Sequence, residues 1–220
     1  MKVLTFILLA LSLAVSSVAQ NQNGTVFESK IATELKKIQT IHTLESWQLT
    51  ALKGINKMEL LLEAVDYRAE NSTTNLKGIK VKLIPESLTS ISDVTKSMLL
   101  FEGFIDNSEY AEVMVVLNKM SADFKKRNPV KKRGSMDYTT KGGIKFGFIY
   151  TESKEVGLIS ILYSDVEISV EFSTIEKFLN DLRTYIDIAS KDLYLPENAE
   201  KLKNAKKSNQ EVKDVIIDDI

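Results

Sequence analysis

The chain has 220 residues, with 29 basic and 30 acidic side chains, one histidine and no cysteine, for a formal charge of −1. Near-neutrality leaves bulk charge unable to select a partner, and the missing cysteine excludes disulfides, thiol nucleophiles and lipidation at a cysteine. With His42 as the only histidine, a zinc centre drawing several ligands from His and Cys is excluded as well.

Residues 1–19 read as a secretory leader: Lys2 is its only charge, residues 3–15 are apolar, and Ser17-Val18-Ala19 supplies small residues at −3 and −1. That apolar run is too short to span a bilayer, so cleavage after Ala19 is expected in place of anchoring. The mature chain then begins at Gln20, has 201 residues and a formal charge of −2, and is long enough to bury an apolar core unaided. The expected organisation is the leader, a single α+β domain over residues 20–195 that opens with a helix, and a charged, flexible tail over residues 196–220. The expected location is secreted or periplasmic.

From Val26 onward, Ile31, Leu35 and Ile38 fall at helical spacing and predict a short amphipathic helix, docked or standing outside the core. Met58 opens a leucine-rich stretch that suits either element; a strand through Tyr67 is favoured. Asn71-Ser72-Thr73-Thr74-Asn75 reads as a turn, and the alternation of Ile79, Val81 and Leu83 reads as a second strand stopped by Pro85.

A strand that feeds a capped amphipathic helix then occurs twice. Leu99, Phe101, Gly103 and Ile105 alternate, Asp106 and Glu109 form a capping arrangement, and Tyr110, Val113, Met114, Leu117, Met120 and Phe124 line one helical face. Later Val166, Ile168, Val170 and Phe172 alternate, Ser173 and Glu176 read as a capping box, and Ile175, Phe178, Leu179, Leu182, Tyr185, Ile186 and Ala189 make the stripe. Between them, Ile144, Phe146, Phe148 and Tyr150 predict a strand, and residues 156–163 another, as a meander. The fold class is therefore α+β: an antiparallel sheet of hairpins and meander with two amphipathic helices packed on it, with a pseudo-twofold repeat of the strand–helix unit as a hypothesis. Beyond Pro196 the pattern fades into a polar tail whose Val215, Ile216, Ile217 and Ile220 either fray or dock.

Gly142-Gly143-Ile144-Lys145-Phe146-Gly147-Phe148, followed by a strand and the Ser173-capped last helix, resembles small, largely uncharacterised secreted proteins of Bacteroidota-type bacteria. The likeness covers residues 57–191. It implies an envelope or periplasmic location and no activity, and it supplies no catalytic residues.

No motif for a catalytic centre, cofactor or metal is found. His42 sits in Gln39-Thr40-Ile41-His42-Thr43, with no nucleophile elbow to complete a Ser-His-Asp triad, and no Asp-x-Asp-x-Asp-Gly string offers calcium an oxygen cage. Gly142, Gly143 and Gly147 lack the Lys-Ser/Thr ending of a phosphate loop; they read as a hairpin turn at residues 141–143 and a small residue at 147 that admits a bulge or a neighbouring backbone. Glu167 and Glu171 share a strand face and would suit a glycosidase-like carboxylate pair, but they alternate with the apolar positions and read first as the solvated face of a half-buried strand.

The densest charge feature is Lys125, Lys126 and Arg127 with Lys131, Lys132 and Arg133, six basic residues in nine. As a contact it would meet an anionic envelope component; as a loop it would be solvated and complement the C-terminal end of the preceding helix. No aromatic interleaving supports nucleic-acid stacking, and an exported chain meets no intracellular nucleic acid. Asn23-Gly24-Thr25 and Asn71-Ser72-Thr73 match the glycosylation acceptor pattern, and Trp47 reads as a core or interface filler. The expectation is an exported non-enzymatic protein with a binding or structural role in the envelope or outside the cell, with no cofactor, and with an anionic component or a protein as partner. Two rivals stand beside it. One is a carrier of a small apolar ligand, with a cavity between the Phe146, Phe148 and Tyr150 face and the helices; the other is a carboxylate-dependent hydrolase.

Overall fold

Apolar residues recur at every second position through most of the chain, and strands follow. The computed structural model describes residues 19–20, 26–37, 42–69, 75–86, 101–126, 133–163, 166–198 and 200. Two-residue strands β1 (Ala19–Gln20) and β2 (Val26–Phe27) pair antiparallel and are followed by α1 (Lys30–Leu35). Val26 thus belongs to a strand, and the helix expected from it starts at Lys30. Ser29 caps it, its Oγ accepting the Ala32 N–H at 2.9 Å.

The first half continues with β3 (His42–Lys53), β4 (Met58–Ala69), β5 (Asn75–Pro85) and β6 (Phe101–Asp106), hydrogen-bonded antiparallel in that order. A 3-10 turn, Asn107–Glu109, leads into α2 (Tyr110–Lys125). The second half repeats the plan with β7 (Gly134–Thr139), β8 (Ile144–Tyr150), β9 (Glu155–Tyr163), β10 (Val166–Phe172) and α3 (Ile175–Ser190). The fold is α+β and mostly sheet. The antiparallel sheet expected from sequence is two four-stranded sheets, each a meander closed by a 16-residue helix.

The halves embrace reciprocally. β6 lies against β8 and β9 of the second half, β10 lies against β4 and β5 of the first, and α2 packs on α3. The turns that open the two meanders share one geometry: Gly54 N–H donates to Met58 O at 2.7 Å and Thr140 N–H to Ile144 O at 2.9 Å. Each ends in a left-handed residue, Lys57 (φ 59°) and Gly143 (φ 77°), a conformation in which only glycine avoids the Cβ penalty. Each tip also touches the last strand of the other half. Ile55 N–H donates to Glu171 O at 2.8 Å, and a Cβ on Gly142 would collide with the Phe104 carbonyl.

One core joins both sheets and both helices. Leu60, Leu62, Ile79, Val81 and Ile105 meet Ile144, Phe146, Ile159 and Val170, with Val113, Leu117, Phe178 and Leu182 filling from the helices. At roughly 25 cal/mol per Å² of apolar surface removed from water, this burial is the main stabilising term of a cysteine-free fold. A second cluster on the opposite face of the first sheet packs Ile31 of α1 on Val65, Tyr67 and Phe104, with Ala32 beside it, so α1 docks chiefly through Ile31 while Leu35 stays exposed. The outward face of β4–β6 carries Lys82–Glu63 at 2.8 Å and Lys80–Glu102 at 2.9 Å.

Candidate functional site

The two strand–helix corners, β6 to α2 and β10 to α3, are built alike and finished differently. At the first, Asp106 and Glu109 are 4% and 1% exposed, and each carboxylate is spent on backbone donors. Asp106 accepts the Lys30 N–H at 2.6 Å and the Ile31 N–H at 3.4 Å, so it holds the start of α1, and it also caps the turn into α2. Glu109 accepts the Asp106 N–H at 3.4 Å and, from the opposite half, the Lys141 N–H at 2.7 Å. The predicted Asp106/Glu109 capping box is present. Burial raises both carboxyls above the ordinary range, opposed by these N–H donors. Beside them Tyr138 hydrogen-bonds Glu112; burial first and this acceptor second push its hydroxyl up to about 12.

At the second corner, the capping box expected at Ser173 and Glu176 is not formed. The helix starts one residue later than that pattern requires, with Thr174 in extended geometry at the N-cap and no side-chain cap bond. What remains is a cleft of about 210 Å³ with Ala51, Leu52, Phe172 and Phe178 as its apolar lining. Lys53, Lys177, Asp181, Ser173 and Thr174 also line it, and Ile55, 55% exposed, contributes from the β3–β4 turn. Lys177 pairs with Asp181 at 3.3 Å, whereas Lys53 has no ion-pair partner among the described residues. The Phe172 and Phe178 rings stack at 4.8 Å, which fixes the apolar wall.

The residues singled out from sequence fall elsewhere. Lys125 is the last residue of α2, Lys126 its C-cap, and Arg133 immediately precedes β7; all three are exposed, and none makes an ion pair among the described residues. Arg127, Lys131 and Lys132 lie outside the described residues, as do the leader through residue 18, both glycosylation acceptors, Ile38, Leu99 and the tail's apolar residues. Glu167 and Glu171, four apart on a strand, are separated by roughly 13 Å at 3.3 Å per residue, wider than either glycosidase geometry. Each also has partners: Glu167 with Ser160 Oγ at 2.7 Å and Lys145 at 3.2 Å, Glu171 with Lys154 at 2.7 Å. Phe146 and Phe148 are buried, Phe148 edge-on to Phe124 of α2 at 5.3 Å, so side chains fill the space an apolar ligand would need there. His42 is simply the first residue of β3, opposite Ala69.

Two features went unread in sequence. Trp47 packs against Tyr194 with ring centroids 5.2 Å apart and the rings tilted at 42°, and with the Lys77–Asp192 pair at 2.9 Å this ties the chain after α3 to the first sheet. Asp66 is buried with Oδ2 bonded to Arg68 and Asn75 and Oδ1 without a partner among the described residues. Among the described residues no group of three or more His, Cys, Asp or Glu is placed to hold a metal, and no helix is long and apolar enough to cross a membrane. Comparison with protein-family models, with curated proteins and with solved structures found no match.

Proposed function

We propose that this is an exported, non-enzymatic binding protein whose contact site is the cleft at the β10–α3 corner. The observation that carries the reading is the contrast between the corners. The buried acids of the first are committed to backbone N–H groups, whereas the second presents an apolar lining flanked by Lys53, the Lys177–Asp181 pair and two hydroxyl residues. Export is supported by the leader-like residues 1–19. The test is native mass spectrometry of the protein recovered gently from its own host. The expected result is a chain beginning at Gln20 that carries a reproducible extra mass, lost when Ala51→Trp fills the cleft. A bare chain overturns the reading, and turnover of glycosides or esters that Glu167→Gln or Glu171→Gln abolishes would put a hydrolase in its place.

A second contact is favoured by Lys125, Lys126 and Arg133, exposed and without ion-pair partners among the described residues, which bracket the basic segment completed by Arg127, Lys131 and Lys132. At about 1 kcal/mol per basic residue near an anionic surface, replacing Lys131, Lys132 and Arg133 with Gln should weaken vesicle binding roughly a hundredfold at low salt. Unchanged binding would refute that contact.

A further inference from the structure

We infer that the cleft takes a small amphipathic anion, a short apolar group carrying a carboxylate or phosphate, because the second corner lacks the bonds that close the matching first corner. This rests on the reading of the cleft as the contact site. The matching is set by backbone geometry. The equivalent turn bonds align Gly54 with Thr140, which places Leu52 at the second corner where the first corner has Tyr138, and Lys53 where it has Thr139. The two helices, equal in length, align Tyr110 with Ile175, which places Lys177 where the first corner has Glu112 and Thr174 where it has Glu109.

The first corner is shut by Tyr138 on Glu112 and by Glu109 reaching the Lys141 N–H at 2.7 Å. Neither closure can form at the second. Leu52 has no hydroxyl, Lys177 turns to Asp181, and Thr174 is too short to cross to the turn, where Ile55 N–H goes to the Glu171 carbonyl instead. The same exchanges reverse the charge. Glu109 gives way to Thr174, Glu112 to Lys177 and Thr139 to Lys53, so two carboxylates at the first corner are answered at the second by two lysines and one carboxylate, Asp181, beside an apolar wall of Leu52, Phe172 and Phe178. The lysines suit an anionic head and the wall an apolar body. Size limits that body, since about 210 Å³ holds roughly seven water-sized groups, room for a six-carbon chain and not for a lipid tail.

The test is a titration of ¹⁵N-labelled protein, residues 20–220, followed by amide chemical shifts. Sodium hexanoate and hexyl phosphate are the probes; 1-hexanol and inorganic phosphate are the controls. Saturable shifts at Lys53, Thr174 and Lys177 with either amphipathic anion, and with neither control, are expected. Lys177→Glu, a substitution at an exposed position, should weaken binding about tenfold or more. Leu52→Tyr with Lys177→Glu, which copies the Tyr138 and Glu112 pair of the first corner, should abolish it; Lys177→Glu alone decides the matter if that double variant does not fold. Hexanol binding as tightly as hexanoate, phosphate alone shifting the same amides, Lys177→Glu leaving the affinity unchanged, or no saturable shift with either anion each overturns the ligand class. In all four cases an extra mass that Ala51→Trp removes would leave the cleft as the contact site, so the two failures are told apart.

Discussion

Gly142 and Gly103 sit at one contact between the halves, the β7–β8 turn against β6, and their replacement by alanine should have very different consequences. A Cβ on Gly142 would lie far inside van der Waals contact distance of the Phe104 carbonyl oxygen, with Ser29 Cβ a further 3.3 Å neighbour. Neither the turn nor the strand backbone can rotate away, so the tip must withdraw by about 1 Å in a close-packed region. That withdrawal stretches the 2.7 Å bond from Lys141 N–H to Glu109 beyond hydrogen-bond range. Overpacking costs about 1–3 kcal/mol and loss of a bond to a charged acceptor about 1.5–3, so Gly142→Ala should destabilise by about 3 kcal/mol or more. A Cβ on Gly103 instead meets the terminal Cδ1 of Ile144 at 2.5 Å, and a methyl at the end of a side chain can move. Gly103→Ala also restricts the unfolded chain, which returns about 0.4–1 kcal/mol, so its net effect should lie within about 1 kcal/mol. Urea unfolding measures both. At a slope of about 2 kcal/mol per M, Gly142→Ala should lower the midpoint by about 1.5 M and Gly103→Ala by less than about 0.5 M. Equal midpoints, or a larger fall for Gly103→Ala, would refute the idea that the halves are clamped by a backbone approach at this turn.

Other measurements probe the same architecture. Asp106 and Glu109 titrate above the ordinary range, so between about pH 4 and their raised values the folded state holds protons more tightly than the unfolded one; the stability they add is complete below about pH 4 and is lost as pH rises. The native protein should therefore exceed Glu109→Gln in stability by more at about pH 4.5 than at about pH 7.5, and an excess that grows with pH would contradict the burial argument. Ile31 is fully buried and is the anchor of α1, so Ile31→Ala should cost about 2–4 kcal/mol and speed hydrogen exchange at the Lys30 and Ile31 amides that Asp106 holds; unchanged exchange would show α1 docked by other means. Trp47 is the only tryptophan, so Tyr194→Ala should red-shift the intrinsic emission as the ring loses its cover, and an unshifted spectrum would deny the docking of the chain after α3.

Alternation made β5, β6, β8 and β10 legible in sequence, because each turns alternate residues into the shared core, whereas the leucine-rich β4 suited either element. It failed at β3 for a physical reason. β3 is an edge strand with a bulge between Gln48 and Thr50, so Leu44 faces the α1 cluster while Leu49 and Leu52 face the main core. A one-residue slip reverses the faces and breaks the period. β7, the other outer edge, turns only Met136 and Tyr138 inward and leaves Ser135 and Asp137 exposed. Periodicity also says which face of a strand is covered without saying by what, which is why two sheets read as one.

The candidate site was less legible still, since its parts come from β3, the β3–β4 turn, the end of β10 and the first turns of α3. No local motif joins them. The Asp106/Glu109 cap could be read because its members are three residues apart, yet the same Glu109 also bonds Lys141, 32 residues away, and that long bond separates a closed corner from an open one. Sequence spacing identified the cap that the two corners were expected to share. Only superposing the halves shows that Thr174 and Leu52 cannot provide the closure that Glu109 and Tyr138 provide. The open corner is therefore a property of the pair of halves, and residues unremarkable in their own segments, a leucine on an edge strand and a lysine in a helix's first turn, acquire meaning from the residues that occupy their places in the other half.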